Sequence, residues 1–335
     1  MGKNTLNKTS AGKTPGKYGK IILNIVIAVA VYALMMILIQ GGLLSRQMTS
    51  IIIPCCINVM LAVSLCLLVG YLGELTLGHA GFMSIGAYSG ALLTNYLDLP
   101  PVAELLLGLL LGGIVASLFA VIIGLPVLRL KGDYLAIVTL GFGEIIKSVI
   151  NALDFTGGAK GLSGIGAYAT YRNFTFVFIF VILTILLISN LVNSRHGRAI
   201  TAVRDNYIAA EAIGIHVGRF KTMAFVISAF FAGLAGVIYA HNVGILKPAN
   251  FDYNKSIEIL VMVVLGGMGN IKGSIIAAII LTALPEVLRS AADYRMLLYS
   301  IVLIAMMLFN NSKFKLAIVE KRNLKKAAEI QKEGE

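Results

Sequence analysis

Ten apolar runs with short polar punctuation set the plan of this chain. They fall near residues 21–43, 49–70, 80–97, 102–127, 134–150, 174–192, 222–242, 256–268, 271–288 and 296–310. A helix needs about 20 predominantly apolar residues to cross a bilayer. The first, second, fourth, sixth and seventh runs are strong by that measure. The third, fifth, eighth and ninth are short or interrupted by glycine, so the pattern predicts eight to ten spans. The expected fold is all-α: a polytopic transmembrane helical bundle over residues 21–310. A polar, Lys-rich segment at 1–20, expected to lack order, precedes it, and a basic helical tail at 311–335 follows.

Composition sharpens this picture. The chain is 58% hydrophobic and 13% charged, with a mean hydropathy of +0.88. Soluble domains carry about 25% charged residues, so the chain belongs to the integral membrane class. Its net charge of +12 does not call for nucleic acid, because Lys and Arg collect in cytoplasmic loops and set orientation. With ten spans and the N-terminus inside, 20 of the 28 basic residues face the cytoplasm. Both termini are therefore expected there, where the basic ends suit contact with anionic lipid. The first run is longer than the 7–15-residue core of a signal peptide, and its only Ala-x-Ala, at Ala28 to Ala30, lies mid-run. A retained first span is expected. Cys55, Cys56 and Cys66 share one apolar segment and are expected to be free thiols acting as small hydrophobes.

One long polar stretch lies inside the chain, at 193–221. Within it, residues 198–213 read as an amphipathic helix, with Ile200, Val203, Tyr207 and Ile208 on one face and Arg204, Asp205 and Glu211 polar. A weak internal echo links LCLLVGYLGELTLG (65–78) with VMVVLGGMGNIKG (261–273). Paired, Gly-interrupted apolar segments in two halves of a transporter often mark its transport path.

Catalytic motifs are missing. AGKT at 11–14 is not a phosphate loop, because Asn7 stands where the first glycine is needed, and Lys272 replaces the third glycine of a dinucleotide finger at Gly267-x-Gly269. Neither His-Glu-x-x-His nor Gly-x-Ser-x-Gly occurs, and four scattered histidines offer no metal site. No enzyme activity, metal or cofactor is expected of this chain alone.

The stretch GELTLGHAGFMSIGAYSG (73–90) concentrates polar and small residues inside an apolar region. Gly86, Gly90 and Thr94 recur every four residues and line a helix face that another helix can approach closely. Gly73 and Gly78 predict a break between the second and third spans; Glu74 and His79 sit beside it, Gly81 just after. These seven positions, Gly73, Glu74, Gly78, His79, Gly81, Gly86 and Gly90, are candidates for a helix break, gating and packing, with Glu74 and His79 expected to cap it. Glu144, Lys147, Glu258 and Glu286 lie in or near spans and are expected to face protein rather than lipid; Glu144 and Lys147, three apart, predict a local ion pair. The Gly-rich TGGAKGLSG (156–164) is expected to form an outer gate or docking loop.

Six segments then carry a resemblance: GELTLGHAGFMSIGAYSGALL, LRLKGDYLAIVTLGFGEIIK, TGGAKGLSGI, HGRAITAVRDNYIAAEAIGI, KTMAFVISAFFAGLAGVIYAH and SIEILVMVVLGGMGNIKGSIIAAIILTALPEVLR, spanning most of residues 70–290. In order, they resemble the LivM-type permeases of bacterial branched-chain amino-acid ABC importers. Urea and short-amide permeases look similar, which keeps a second substrate class open. The resemblance implies a multi-pass subunit in the bacterial cytoplasmic membrane. A second, LivH-like permease, two cytoplasmic ATPase subunits and an external solute-binding protein would complete the importer, with ATP and Mg held by the ATPases. It also implies that 198–215 is the coupling helix, with Arg198, Arg204, Asp205, Glu211 and Gly214 candidates for contact with the ATPase. Glu211-Ala212 and Gly214 resemble the EAA loop of ABC importers only in part, since one Ala follows Glu211 and Gly214 comes early. From another class, a self-sufficient channel or proton-coupled transporter would lean on Glu144 or Glu258 as relays.

Overall fold

A computed structural model describes residues 17–41, 45–97, 100–130, 132–287 and 300, 301, 304 and 308. The polar segment 1–16, the basic tail 311–335 and most of the expected tenth span lie outside the described residues. Helix α1 (Lys17–Gln40) starts before the predicted boundary at residue 21 and belongs to a separate unit, Met1–Ser45.

The unit that begins at Arg46 contains α2 (Arg46–Cys66), α3 (His79–Tyr96), α4 (Pro101–Val127), α5 (Asp133–Ala152), α6 (Phe174–Asn193), α7 (Arg195–Asp205), α8 (Tyr207–Ala212), α9 (Val217–Val243), α10 (Tyr253–Gly266) and α11 (Ile271–Val287). Among the described residues there is no strand; the single bridge joins Leu162 to Leu246. Among the described residues, five helical stretches are long and apolar enough to cross a membrane: Met48–Leu72, Pro101–Val127, Asp133–Ala152, Tyr171–Asn193 and Val217–Val243. The third of these is the run that glycine had made look weak in sequence.

The bundle is sorted by residue size. Helix α4 buries Gly108, Gly112, Gly113, Ala116, Ala120 and Gly124, and exposes Leu106, Leu110, Ile114, Leu118, Ile122 and Leu125. Small residues let backbones approach, while the large apolar side chains face outward as lipid requires. Helix α3 is enclosed by α4, α5, α9 and α10. It has little outer surface, so it needs no long lipid-compatible face, which is why its sequence reads as weakly apolar. The three cysteines are free, with Cys66 fully buried.

Helices α10 and α11 are short. At 1.5 Å per residue, the 14 residues of α10 rise only ~21 Å, against a hydrocarbon core of about 30 Å. Its first turn lies at mid-depth, because Lys255 Nζ donates to Asn58 Oδ1 at 3.1 Å and Asn58 lies near the middle of Met48–Leu72. Its far end turns at Gly267–Asn270 beside Gly70, just past the end of α2. Helix α10 is a half-crossing.

Candidate functional site

The predicted break between the second and third spans is present. Helix α2 widens into a π-helical turn, Leu67–Leu72, and stops at Gly73, whose φ of 78° is left-handed. Glycine adopts that conformation without strain. Residues 73–78 carry no regular structure, and α3 starts at His79. A π-turn inside a span is rare and tends to accompany function.

Neither polar residue caps the break, contrary to the sequence expectation. The N-cap of α3 is Gly78, with no side-chain capping bond. Glu74 instead pairs with Lys221 near the start of α9, both side chains mostly buried. Its carboxylate is drawn to a cation across the bundle because an unpaired charge there is costly. His79 is fully buried, and its Nε2 lies 2.9 Å from Ser64 Oγ of α2. The same hydroxyl lies 2.9 Å from Leu61 O, so His79, Ser64 and a helix carbonyl form one hydrogen-bonded group. Glutamine retains an N–H donor, so His79→Gln is expected to leave assembled yield and transport within two-fold of wild type. His79→Ala opens a cavity and removes that bond, with an expected loss of about 1–3 kcal/mol. Thermal unfolding of the detergent-purified complex compares the two.

The glycines face neighbours within the same chain. A Cβ on Gly78 would meet Thr139 O of α5 at 2.6 Å, and one on Gly81 would meet Gly143 Cα at 3.1 Å. A Cβ on Gly86 would collide with the Gly233 backbone of α9, and one on Gly90 would meet Val237 Cγ2 at 2.6 Å. The two echoed segments meet as well: Gly70 packs directly against the Gly269 backbone.

The segment expected as one amphipathic helix over 198–213 is two. Helix α7 is capped by Ser194, whose Oγ accepts from Gly197 N at 3.3 Å. It ends at Asn206, where the backbone is extended and the side chain accepts from Ala209 N at 3.0 Å to start α8. This break splits the expected apolar face. Ile200 and Val203 are buried, whereas Tyr207 and Ile208 are exposed by 40% and 64%, and Ile213 by 76%. The Asn-x-x-Ala spacing was the missed signal, an N-cap inside a helical pattern.

Of the candidate coupling residues, Arg204 is exposed but reaches back to the turn that follows α2. Its Nη1 donates to Gly70 O at 2.9 Å, while Nε and Nη2 donate to Asp205 Oδ1 at 2.9 and 2.8 Å. Its side chain also lies over Gly73. Arg204 therefore fastens α7 to the end of α2, and Asp205 steadies the guanidinium. Arg198 and Glu211 are exposed, and Gly214 makes the turn after α8 with a φ of 87°. Glu74, Lys221, Arg204 and the Gly267–Gly269 turn thus gather at one end of the bundle. The Gly-rich stretch 156–164 lies towards the other, tied down where Leu162 and Leu246 exchange two backbone bonds of 2.9 Å. Lys147 pairs with Glu144 at 3.0 Å, as the spacing predicts.

A bundle sorted with small residues inward, broken at one end beside a polar surface helix and containing a half-crossing, has the architecture of a polytopic membrane protein. The description "Branched-chain amino acid transport system / permease component" matches residues 47–310, and the chain belongs to that family. The permease protein LivM of the high-affinity branched-chain amino-acid transport system is 36% identical in both Salmonella typhimurium and Escherichia coli K12, over 80% of this chain and 69% of the relative. The LivH permease of E. coli K12 is 35% identical over 98 residues, covering 29% of this chain and 31% of LivH. No solved structure matches.

Proposed function

We propose that this chain is one permease half of an ATP-driven importer that carries branched-chain, aliphatic amino acids inward. A LivH-like permease forms the other half, two cytoplasmic ATPase subunits bind ATP and Mg, and an external solute-binding protein delivers the cargo. This chain binds no nucleotide and catalyses no reaction. The observation that carries the reading is the likeness to LivM along four-fifths of the chain.

The end bearing α7 and α8 faces the cytoplasm in this reading, with both termini on that side. Arg195, Arg198, Arg204, Arg219 and Lys221 all cluster there, in line with the positive-inside rule. The exposed apolar knob of α8 suits a cleft on an ATPase subunit, and Arg204 links that knob to the end of α2 next to the α10–α11 turn. Force applied at α8 would then reach the break at 73–78 and the half-crossing without a long lever.

The test is ATP hydrolysis by the four-subunit membrane complex. Binding protein loaded with leucine should raise hydrolysis severalfold over unloaded binding protein, and urea should have no effect. Stimulation by urea and not leucine would move the cargo to the short-amide class.

A further inference from the structure

We infer that the first turn of α10, together with the ion pairs Glu144–Lys147 and Lys255–Glu258, forms a way-station in the membrane for the zwitterionic head of the amino acid. The inference rests on the proposed import function and adds the place where this chain meets its cargo.

Depth is the first support. Glu144 lies 11 residues from one end of α5 and 8 from the other, ~17 and ~12 Å at 1.5 Å per residue. Lys255 is held at the middle of α2 by Asn58, whose Nδ2 donates to Thr282 Oγ1 of α11 at 2.8 Å. Glu144 and Lys255 therefore sit near the middle of the spans they contact, each paired with a neighbour one helical turn on, Lys147 or Glu258. Charged residues at that depth face protein or water and mark substrate or ion pathways.

Incomplete cover is the second support. The Glu144 and Lys147 side chains are 34% and 30% exposed, and those of Lys255 and Glu258 20% and 37%. This chain alone leaves them open, so a second subunit or a water-filled path must complete their surroundings.

Chemical fit is the third. Glu144 Oε1 accepts from Tyr253 N, the first N–H of α10, at 3.1 Å, while its Oε2 takes the Lys147 ammonium at 3.0 Å. A carboxylate thus already occupies the N-terminus of a half-crossing helix between a peptide N–H and a cation. On the same helix the Lys255 ammonium lies 2.9 Å from Glu258 Oε2. Asp252 closes the turn, its Oδ1 accepting from Lys255 N at 3.1 Å and its Oδ2 from Asn254 Nδ2 at 2.8 Å. An amino acid offers one carboxylate and one ammonium. It can take Glu144's place on Tyr253 N and Lys147 while its ammonium takes the released Glu144, and it can insert between Lys255 and Glu258 in the same way. Each internal pair re-forms when the cargo leaves. Exchange of partners avoids exposing a bare charge, and it keeps holding weak enough for release.

The test uses the complete importer in liposomes, with labelled leucine, its binding protein and ATP, and reads leucine taken up per ATP hydrolysed. Two neutral pairs are made, Glu144→Gln with Lys147→Met and Lys255→Met with Glu258→Gln. Each removes both charges together, so neither leaves a lone buried ion. Uptake per ATP should fall at least ten-fold in both. The exchanged pair Lys255→Glu with Glu258→Lys should stay low, because the polarity presented to the cargo is reversed. Recovery by that exchanged pair, or wild-type uptake in either neutral pair, would overturn the inference and identify the pairs as structural. If a neutral pair fails to assemble, Lys255→Arg and Glu258→Asp keep the charges and shift them. Their uptake per ATP should fall severalfold, and unchanged uptake would again overturn the inference. Leucine uptake by the wild-type complex is measured alongside; its absence would remove the proposed cargo itself rather than its way-station.

Discussion

Gly86→Leu is expected to abolish recovery of the folded permease and of any complex containing it. A Cβ at Gly86 would collide with the Cα and carbonyl of Gly233, so backbone meets backbone where α3 crosses α9. No rotamer change relieves such a contact. Overpacking a core typically costs 1–3 kcal/mol when side chains can shift; here two helices must part, and α4 with them, since Gly112 packs on both Gly86 and Gly233. The loss should exceed about 3 kcal/mol, a large share of a domain's stability. Gly141→Ala supplies the contrast, because nothing lies within 4 Å of a Cβ added there. Size-exclusion yield of the membrane complex should collapse for the first variant and hold for the second.

The second large effect is expected at α8. Ile208→Asp combined with Ile213→Asp should lower stimulated ATP hydrolysis and uptake more than ten-fold while the permease stays folded. Both side chains are exposed by more than half, and substitutions at such positions usually change stability within about 0.5 kcal/mol. The charges would instead enter the proposed interface with an ATPase subunit, where burial without a partner is costly. Arg204→Glu makes a poorer probe of that interface. It breaks the bond to Gly70 O and the pair with Asp205, so it disturbs this chain before any partner. Normal hydrolysis and uptake in the Ile208/Ile213 double variant would remove α8 from the coupling surface.

These two predictions mark what a sequence can and cannot carry in this protein. The every-fourth spacing of Gly86 and Gly90 revealed a close-packed helix face, but not that Gly233 and Val237 of the same chain fill it. The break at Gly73–Gly78 was legible from glycine, since left-handed backbone and a missing helical register leave a local signature. The partners of Glu74 and His79 were not: Lys221 is 147 residues away, and local spacing is blind to such pairs. The amphipathic pattern over 198–213 was readable as helix, yet its period ran across Asn206 without a jump, so one helix was expected where two exist. The half-crossing was visible only as a short run at 256–268. Its start in mid-membrane depends on Asn58 holding Lys255, a contact across 197 residues. The echo between 65–78 and 261–273 could be seen in sequence, but the direct contact of Gly70 with Gly269 could not.

In the proposed function this chain, with its partners, moves a branched-chain amino acid inward at the expense of ATP. Proteoliposomes holding the complete complex, supplied with binding protein outside and ATP at the ATPase face, test it most directly when labelled leucine and labelled urea are compared. Leucine should accumulate against its gradient, dependent on ATP and binding protein, with urea at background. Leucine entry at the same rate without ATP, or urea entry in its place, would contradict it.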